Sequence, residues 1–153
     1  MDQLTQTVNH MRNRLMKNQR GAALLETAIT LPLILLVCVA IFEFGRAYQT
    51  WQVLTNAARE GARVAVLQDS SDDQIRSAVK SYATIGGVAV VDAEIAINRT
   101  AAAGDFQGSA ITVSHPFNFM VLNPIAKMVT RGAKTGEALT MEAVAVMRNE
   151  TGS

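Results

Sequence analysis

One carboxylate stands alone in the most apolar part of the sequence. Glu26 is the only charged residue between Ala22 and Phe42. A carboxylate among lipid chains costs on the order of 2.5–3.5 kcal/mol at the bilayer centre and less near the interface. Two interpretations stay open. Either Glu26 lies at headgroup depth close to Arg20, or it has a dedicated cationic partner.

Residues that could carry catalysis or hold a metal ion are scarce. His10 precedes the apolar run, His115 stands next to a proline, and the single cysteine, Cys38, lies inside the run. We recognise no Ser/His/Asp grouping, paired cysteines or phosphate-binding loop, and one cysteine allows no intrachain disulfide. We therefore expect neither an enzyme nor a protein that holds a cofactor or a metal.

The apolar run has the length of a membrane span. Ala22 to Phe42 comprises 21 residues, which cover about 30 Å as an α-helix, the thickness of one hydrocarbon core. Pro32 lies inside the run, and membrane helices tolerate proline because neighbouring groups satisfy the freed carbonyl. The run predicts a single transmembrane helix in a lipid bilayer.

The segment before the run is basic. Residues 1–21 contain four basic residues and one acidic residue, a net charge of +3, whereas the whole chain carries only +1. The positive-inside tendency predicts a cytoplasmic N-terminus, with the bulk of the chain across the membrane. The small total charge gives no indication of a nucleic-acid partner.

A secretory signal peptide is the alternative for this region. Cys38-Val39-Ala40 could serve as its cleavage site, and the mature chain would then start near Ile41. The long basic segment and the continuation of the run through Phe42 argue against it.

After Glu43 the sequence acquires the period of an amphipathic helix. Together with the apolar run it predicts one helix from about Ala23 to Leu67. The polar side chains fall largely on one side, at Arg46, Gln49, Gln52, Asn56, Arg59 and Arg63. The predicted buried face consists of Phe44, Tyr48, Trp51, Leu54 (or Thr55), Ala58, Ala62 and Ala65.

Small residues recur in the second half of this helix. Ala57, Gly61 and Ala65 are spaced by four, as are Ala58 and Ala62. Such spacing lets another backbone approach closely. The partner could be the protein's own sheet or a helix of another subunit.

Charged residues alternate with these small ones. Arg59 and Arg63 are four apart, with Glu60 between them. A solvated face is the default interpretation, since exposed ion pairs contribute little. They could also contact the C-terminal domain or the carboxylates of a partner.

Two short patterns resemble a known family. Gly21 followed by Glu26, after a basic stretch and before an apolar run, resembles a type IV prepilin processing site. Residues 57–63, AAREGAR, resemble the signature of TadE-like pilus proteins, and the chain end from Ala145 to Glu150 also resembles that family. Thr27 departs from the aromatic residue common at that position. The chain thus resembles TadE-like minor pilins or pseudopilins of tight-adherence, Flp-type pili.

The resemblance implies a specific life cycle. A prepilin peptidase would cut between Gly21 and Ala22, and the new amino group of Ala22 would pair with Glu26 of a neighbouring pilin-like subunit. Inner-membrane platform proteins and the assembly ATPase would be further partners. The expected location is the bacterial inner membrane with the C-terminal domain periplasmic, or alternatively the pilus or cell surface. A minor role is implied because major pilins of the family are very short. The alternative is a single-pass anchored binding domain that never enters a filament.

A helix is predicted at the start of the C-terminal domain. Ser71 and Gln74 have the spacing of a capping box, which predicts a helix from Asp72 to about Ile85 that ends at Gly86-Gly87. Its predicted inner face comprises Ile75, Ala78, Val79 and Tyr82.

Antiparallel strands should follow this helix. Strands are predicted at 94–98 with an extension back through 88–91, at 111–115 before Pro116, and as the longest at 139–148, with a loop over 101–109. Asn123-Pro124 predicts a short helix whose inner residues are Ile125, Met128 and Val129, followed by a connection at 132–136.

The expected fold class is α+β. We predict a pilin-like fold, in which a long N-terminal helix packs on an antiparallel sheet of three or four strands with one or two short helices. The segments are a leader (1–21), the long helix (22–67) and a small extracytoplasmic domain (68–153).

Overall fold

The computed structural model describes residues 2–67, 69–103, 106–129 and 138–149. The chain divides into two compact units, Met1–Ile41 and Phe42–Ser153. The elements in chain order are α1 (Asp2–Ala65), α2 (Asp72–Ile85), a 3-10 turn (Asp92–Glu94), β1 (Ile95–Ala103), β2 (Phe106–Phe117), α3 (Leu122–Val129) and β3 (Leu139–Arg148). A long apolar N-terminal helix, a three-stranded antiparallel sheet and short helices confirm the predicted α+β class.

Helix α1 is longer than the sequence predicted. It begins at Asp2 instead of near Ala23, continues through Pro32 and ends at Ala65, two residues before the predicted end. The leader is rich in Leu, Met, Gln, Arg and Lys, which all favour helix, so nothing local stops it. Gly21 alone costs only about 1 kcal/mol in a helix interior.

The sheet has the order β1-β2-β3 with both pairs antiparallel. Ile111 is the centre of its inner face, opposite Ile97 on β1 and Ala145 on β3. Strand β3 has the predicted bounds, but β2, with 12 residues, is the longest strand. Pro116 does not end β2. It lies opposite Thr140, beyond the last residue that pairs with β1.

The loop predicted over 101–109 was wrong, because β1 and β2 run through it to Ala103 and Phe106. The pairing shifts register between Asn98 and Ala101. The alanine and glycine composition suggested a loop, but pairing with a neighbouring strand outweighs local propensity. The predicted extension over 88–91 was also wrong. Val88 and Val90 are buried there without joining the sheet.

Helix α2 has the predicted bounds and the predicted capping box. Ser71 Oγ accepts from the Gln74 N–H at 3.3 Å, and Gln74 Oε1 accepts from the Ser71 N–H at 3.0 Å. Ile75, Val79 and Ala83 are its buried residues. Tyr82, predicted to face inward, is exposed instead.

Helix α3 begins earlier than predicted. The Val121 carbonyl accepts from the Ile125 N–H at 3.2 Å, which places Pro124 in the first turn, where no intrahelical donor is needed. Ile125 is exposed, so its predicted inward position was wrong. The side chains of Met128 and Val129, and the predicted connection at 132–136, lie outside the described residues.

The core of the second unit lies where α1, α2 and the sheet meet. Leu54 from α1, Ile75 and Val79 from α2, and Ile111 and Val113 from β2 are fully buried. Fully burying such a side chain contributes about 1.5–3 kcal/mol. This core fixes which face of α1 is covered.

Candidate functional site: the segment from Gly21 to Ala65

The predicted cleavage residues lie on an accessible part of α1. Gly21, Ala22 and Glu26 are all exposed. A Cβ added at Gly21 would meet no atom within 4 Å. Packing within the described residues therefore gives no reason for a glycine at this position.

Glu26 has only local structure around it. Its backbone carbonyl accepts from Thr30 Oγ1 at 2.8 Å. Among the side chains that the structure describes, which do not include that of Arg20, none forms an ion pair with its carboxylate.

The apolar run presents its large side chains outward. Leu24, Leu33, Ile34 and Phe42 are exposed, and so are most of the large apolar residues between them. Within α1 there is one segment long and apolar enough to cross a membrane. This segment agrees with a single-pass membrane anchor.

The small residues of α1 are buried inside the second unit. Ala57, Ala58 and Ala62 have no exposed surface. A Cβ on Gly61 would lie 2.5 Å from Val79 Cγ2 and 3.3 Å from Ile111 Cγ2. Ala65, the last residue of the helix, is buried as well. Gly61 therefore packs against α2 and against β2 of its own chain's sheet, and the buried alanines belong to the same core.

The charged residues of the same segment face away from this contact. Arg63 Nη2 and Nε donate to the Glu60 carboxylate at 2.6 and 2.9 Å. Arg59 Nη1 lies 3.4 Å from Asn56 Oδ1. Arg59 and Arg63 are exposed and Glu60 is half-buried. The Glu60–Arg63 ion pair therefore contributes little to folding stability.

The predicted inner position of the aromatic residues of α1 was wrong. Phe44 and Tyr48 are each 60% exposed, and Trp51 is also exposed. Glu43 and Ala47 are buried there instead, so the covered stripe lies one residue earlier in this part of the helix. The later predicted positions are buried as expected, namely Leu54, Ala58, Ala62 and Ala65.

Glu43 is the functional candidate that sequence analysis missed. Its side chain is only 2% exposed. Its carboxylate accepts from the backbone N–H groups of Val121 at 2.7 Å and Met120 at 3.1 Å, and from Arg46 Nη2 at 3.2 Å. Only the three-residue spacing of Glu43 and Arg46 could have indicated this ion pair.

These hydrogen bonds decide the ionisation of Glu43. Burial alone would raise its pKa, but the two backbone donors and Arg46 outweigh burial and lower the pKa below its ordinary value of 4.5. Glu43 lies after the last residue of the apolar run, in the second unit. It is therefore an ionised group of the C-terminal domain, and it ties α1 to the chain entering α3.

Arg46 extends this link to the end of β2. It donates to the Asn118 carbonyl at 2.5 Å, and its guanidinium lies 4.3 Å from the centre of the Phe117 ring. Such a cation over an aromatic face contributes about 0.5–1 kcal/mol at exposed sites.

An open groove of about 380 Å³ lies beside Arg46. Its polar lining includes Thr50 and His115, and His115 Nδ1 lies 3.0 Å from Glu94 Oε2. Among the described residues, no group of three or more His, Cys, Asp or Glu side chains could hold a metal ion. The groove offers both polar and apolar contacts.

Comparison with protein families gives one match. The sequence profile described as TadE-like protein matches residues 21–63. No curated protein and no solved structure matches the chain significantly. The match begins at Gly21 and ends at Arg63, so it contains the apolar run and the AAREGAR block. Together with the apolar helix, this match fits a pilin-like, membrane-anchored protein.

Proposed function

We propose that this chain is a minor pilin or pseudopilin that takes part in building a tight-adherence, type IV-like pilus. One observation carries the proposal. Gly21 opens both the TadE-like match and a helical segment whose large apolar side chains are exposed, and Glu26 follows five residues later without an ion pair among the described side chains. An ordinary membrane anchor explains the apolar surface but not this Gly and Glu pair.

A prepilin peptidase is the proposed processing enzyme, and the bond between Gly21 and Ala22 is its target. Gly21 has open space around it, so its lack of a side chain is not needed for packing within the described residues. Because α1 is helical there, the peptidase must open a turn to reach the bond. Glycine lowers that cost by about 1 kcal/mol relative to alanine.

Glu26 then has a chemical role in assembly. Cleavage creates an amino group on Ala22, and its positive charge suits the carboxylate of Glu26 on a neighbouring subunit. Two unpaired charges in an apolar environment are costly, whereas a paired amine and carboxylate largely offset that cost. The pair would thus select one stagger between neighbouring helices.

The charge of the leader suggests the orientation. Basic residues before the span favour a cytoplasmic N-terminus, which leaves the second unit in the periplasm. Platform proteins of the inner membrane and the assembly ATPase would act from the membrane and the cytoplasm. The proposed role is structural, without catalysis or a cofactor.

Glu26→Ala tests the assembly step. In the native host with its pilus genes, we expect normal cleavage but far fewer pili, because only the intersubunit charge pair is lost. Glu142→Ala is the matched control, since it removes the same charge from an exposed position on β3. N-terminal mass and counts of sheared pili are the measurements. Native piliation with Glu26→Ala would contradict a role of this carboxylate in assembly.

A further inference from the structure

An apolar patch is exposed where the chain enters α3. Met120 is 69% exposed, and Val121 and Ile125 are exposed as well. Pro124 lies among them and is exposed too. Single apolar side chains on a surface are common, but several on one short segment indicate a contact with another apolar medium.

Glu43 fixes the position of this patch. Its carboxylate accepts hydrogen bonds from the backbone N–H groups of Met120 and Val121. The side chains of these two residues belong to the patch. One residue further along α1, the Phe44 ring contacts the Phe119 ring edge-on, with centroids 5.7 Å apart. The patch is therefore held beside the first residues that follow the apolar run.

The distance to the end of the apolar run is short. The run ends at Phe42, and each helical residue advances about 1.5 Å. Glu43 and Phe44 thus lie within about 3 Å of that end along α1. The interfacial layer on each side of the hydrocarbon core is about 5–8 Å thick, so residues held at this level fall within it.

The chemistry of the segment suits this layer. Phe44 and Met120 supply apolar surface, and Lys127, in the last turn of α3, is exposed. A lysine stem can lie along apolar surface while its ammonium group meets a lipid phosphate. Short apolar segments with a basic residue are typical of elements that lie in the plane of the interface.

We propose that the segment from Met120 to Lys127 rests in the headgroup layer of the membrane that α1 crosses. This inference rests on the membrane insertion stated in the proposed function. Lipid is favoured over a second subunit because Glu43, which directly follows the apolar run, hydrogen-bonds the backbone of the patch. The C-terminal domain would then touch the membrane at a defined surface.

Depth-dependent fluorescence quenching tests this contact on the full chain. The protein is placed in nanodiscs of phosphatidylethanolamine and phosphatidylglycerol that contain brominated lipids. Cys38 is the only cysteine and is exposed, so a fluorophore on it reports insertion of α1. Met120→Cys and Ile125→Cys, each with Cys38→Ser, report the patch. Val91→Cys with Cys38→Ser is the control, because Val91 is a similarly exposed apolar residue, at 57%.

We expect strong quenching at position 38, and quenching at 120 and 125 several-fold greater than at 91. Quenching at 38 with only the control level at 120 and 125 would overturn the docking proposal and leave insertion intact. No quenching at 38 would overturn insertion and docking together. Positions 120 and 125 shielded from aqueous iodide but not quenched by lipid would indicate a protein contact and also overturn the proposal.

Discussion

Two glycines of α1 lie in opposite packing environments. Gly61 faces Val79 and Ile111 so closely that a methyl group would collide with them, whereas a Cβ added at Gly45 would meet no atom within 4 Å. Both lie inside the helix, so their helical propensities are the same. Only the packing differs, and this makes the pair a controlled comparison.

Gly61→Ala should destabilise the C-terminal domain by about 1–3 kcal/mol, since the branched side chains of Val79 and Ile111 have little room to move. Gly45→Ala should instead stabilise it by up to about 1 kcal/mol through helix propensity. Trp51 is the only tryptophan, and its fluorescence during denaturation of the detergent-solubilised chain measures both changes. Equal effects of the two substitutions would show that Gly61 does not pack as described.

At the level of elements, Glu43 joins α1 to α3 through charge. Its pKa is lower in the folded protein than its ordinary value of 4.5, so the folded state binds this proton less well than the unfolded state. The stability from Glu43 is therefore present above that ordinary value and is lost as the pH falls through the lower, folded pKa. The junction should be sensitive to acid.

Glu43→Gln should lower the stability of the C-terminal domain at neutral pH, because an amide oxygen is a weaker acceptor for Arg46 and the two N–H groups. The difference from the native chain should shrink in acid, where native Glu43 also loses its charge. Glu60→Gln is the control, with a smaller effect expected because its Arg63 partner is exposed. Denaturation midpoints across pH measure this. A difference between native and Glu43→Gln that does not change with pH would contradict the ionised link.

The sequence predicted those elements that are determined by interactions between residues close together in the chain. Helix α2 was predicted with its cap because Ser71 and Gln74 act within one turn. Strand β3 was predicted from its own alternation. Glu43 was missed because its backbone donors are 77 and 78 residues away.

The buried face of α1 was predicted correctly only in its second part. The helical period placed Phe44, Tyr48 and Trp51 inside, and they are exposed, whereas Leu54 and Ala58 are buried as predicted. The residues of the candidate site differ in the same way in how well the sequence predicted them. Gly21 and Glu26 could be found from spacing, whereas the apolar patch at Met120 needed the fold to place it beside α1.

For the whole molecule, the TadE-like match over residues 21–63 covers the part with the clearest sequence signals. It includes the exposed apolar segment, which fits a membrane anchor, and the small residues Ala57, Ala58 and Ala62, which are buried within the protein's own domain. We propose that cleavage after Gly21 removes the leader, and that the segment beginning at Ala22 then enters a filament.

The mature N-terminus is the most direct test of that claim. Mass spectrometry of the protein from its native host, with the pilus genes present, should find a chain that starts at Ala22. Gly21→Ala should leave the leader attached, whereas Gly45→Ala, the same change at an equally open position, should be cleaved normally. An intact native N-terminus would contradict the account and favour a static anchor, and a start near Ile41 would mean ordinary secretion with the loss of Glu26.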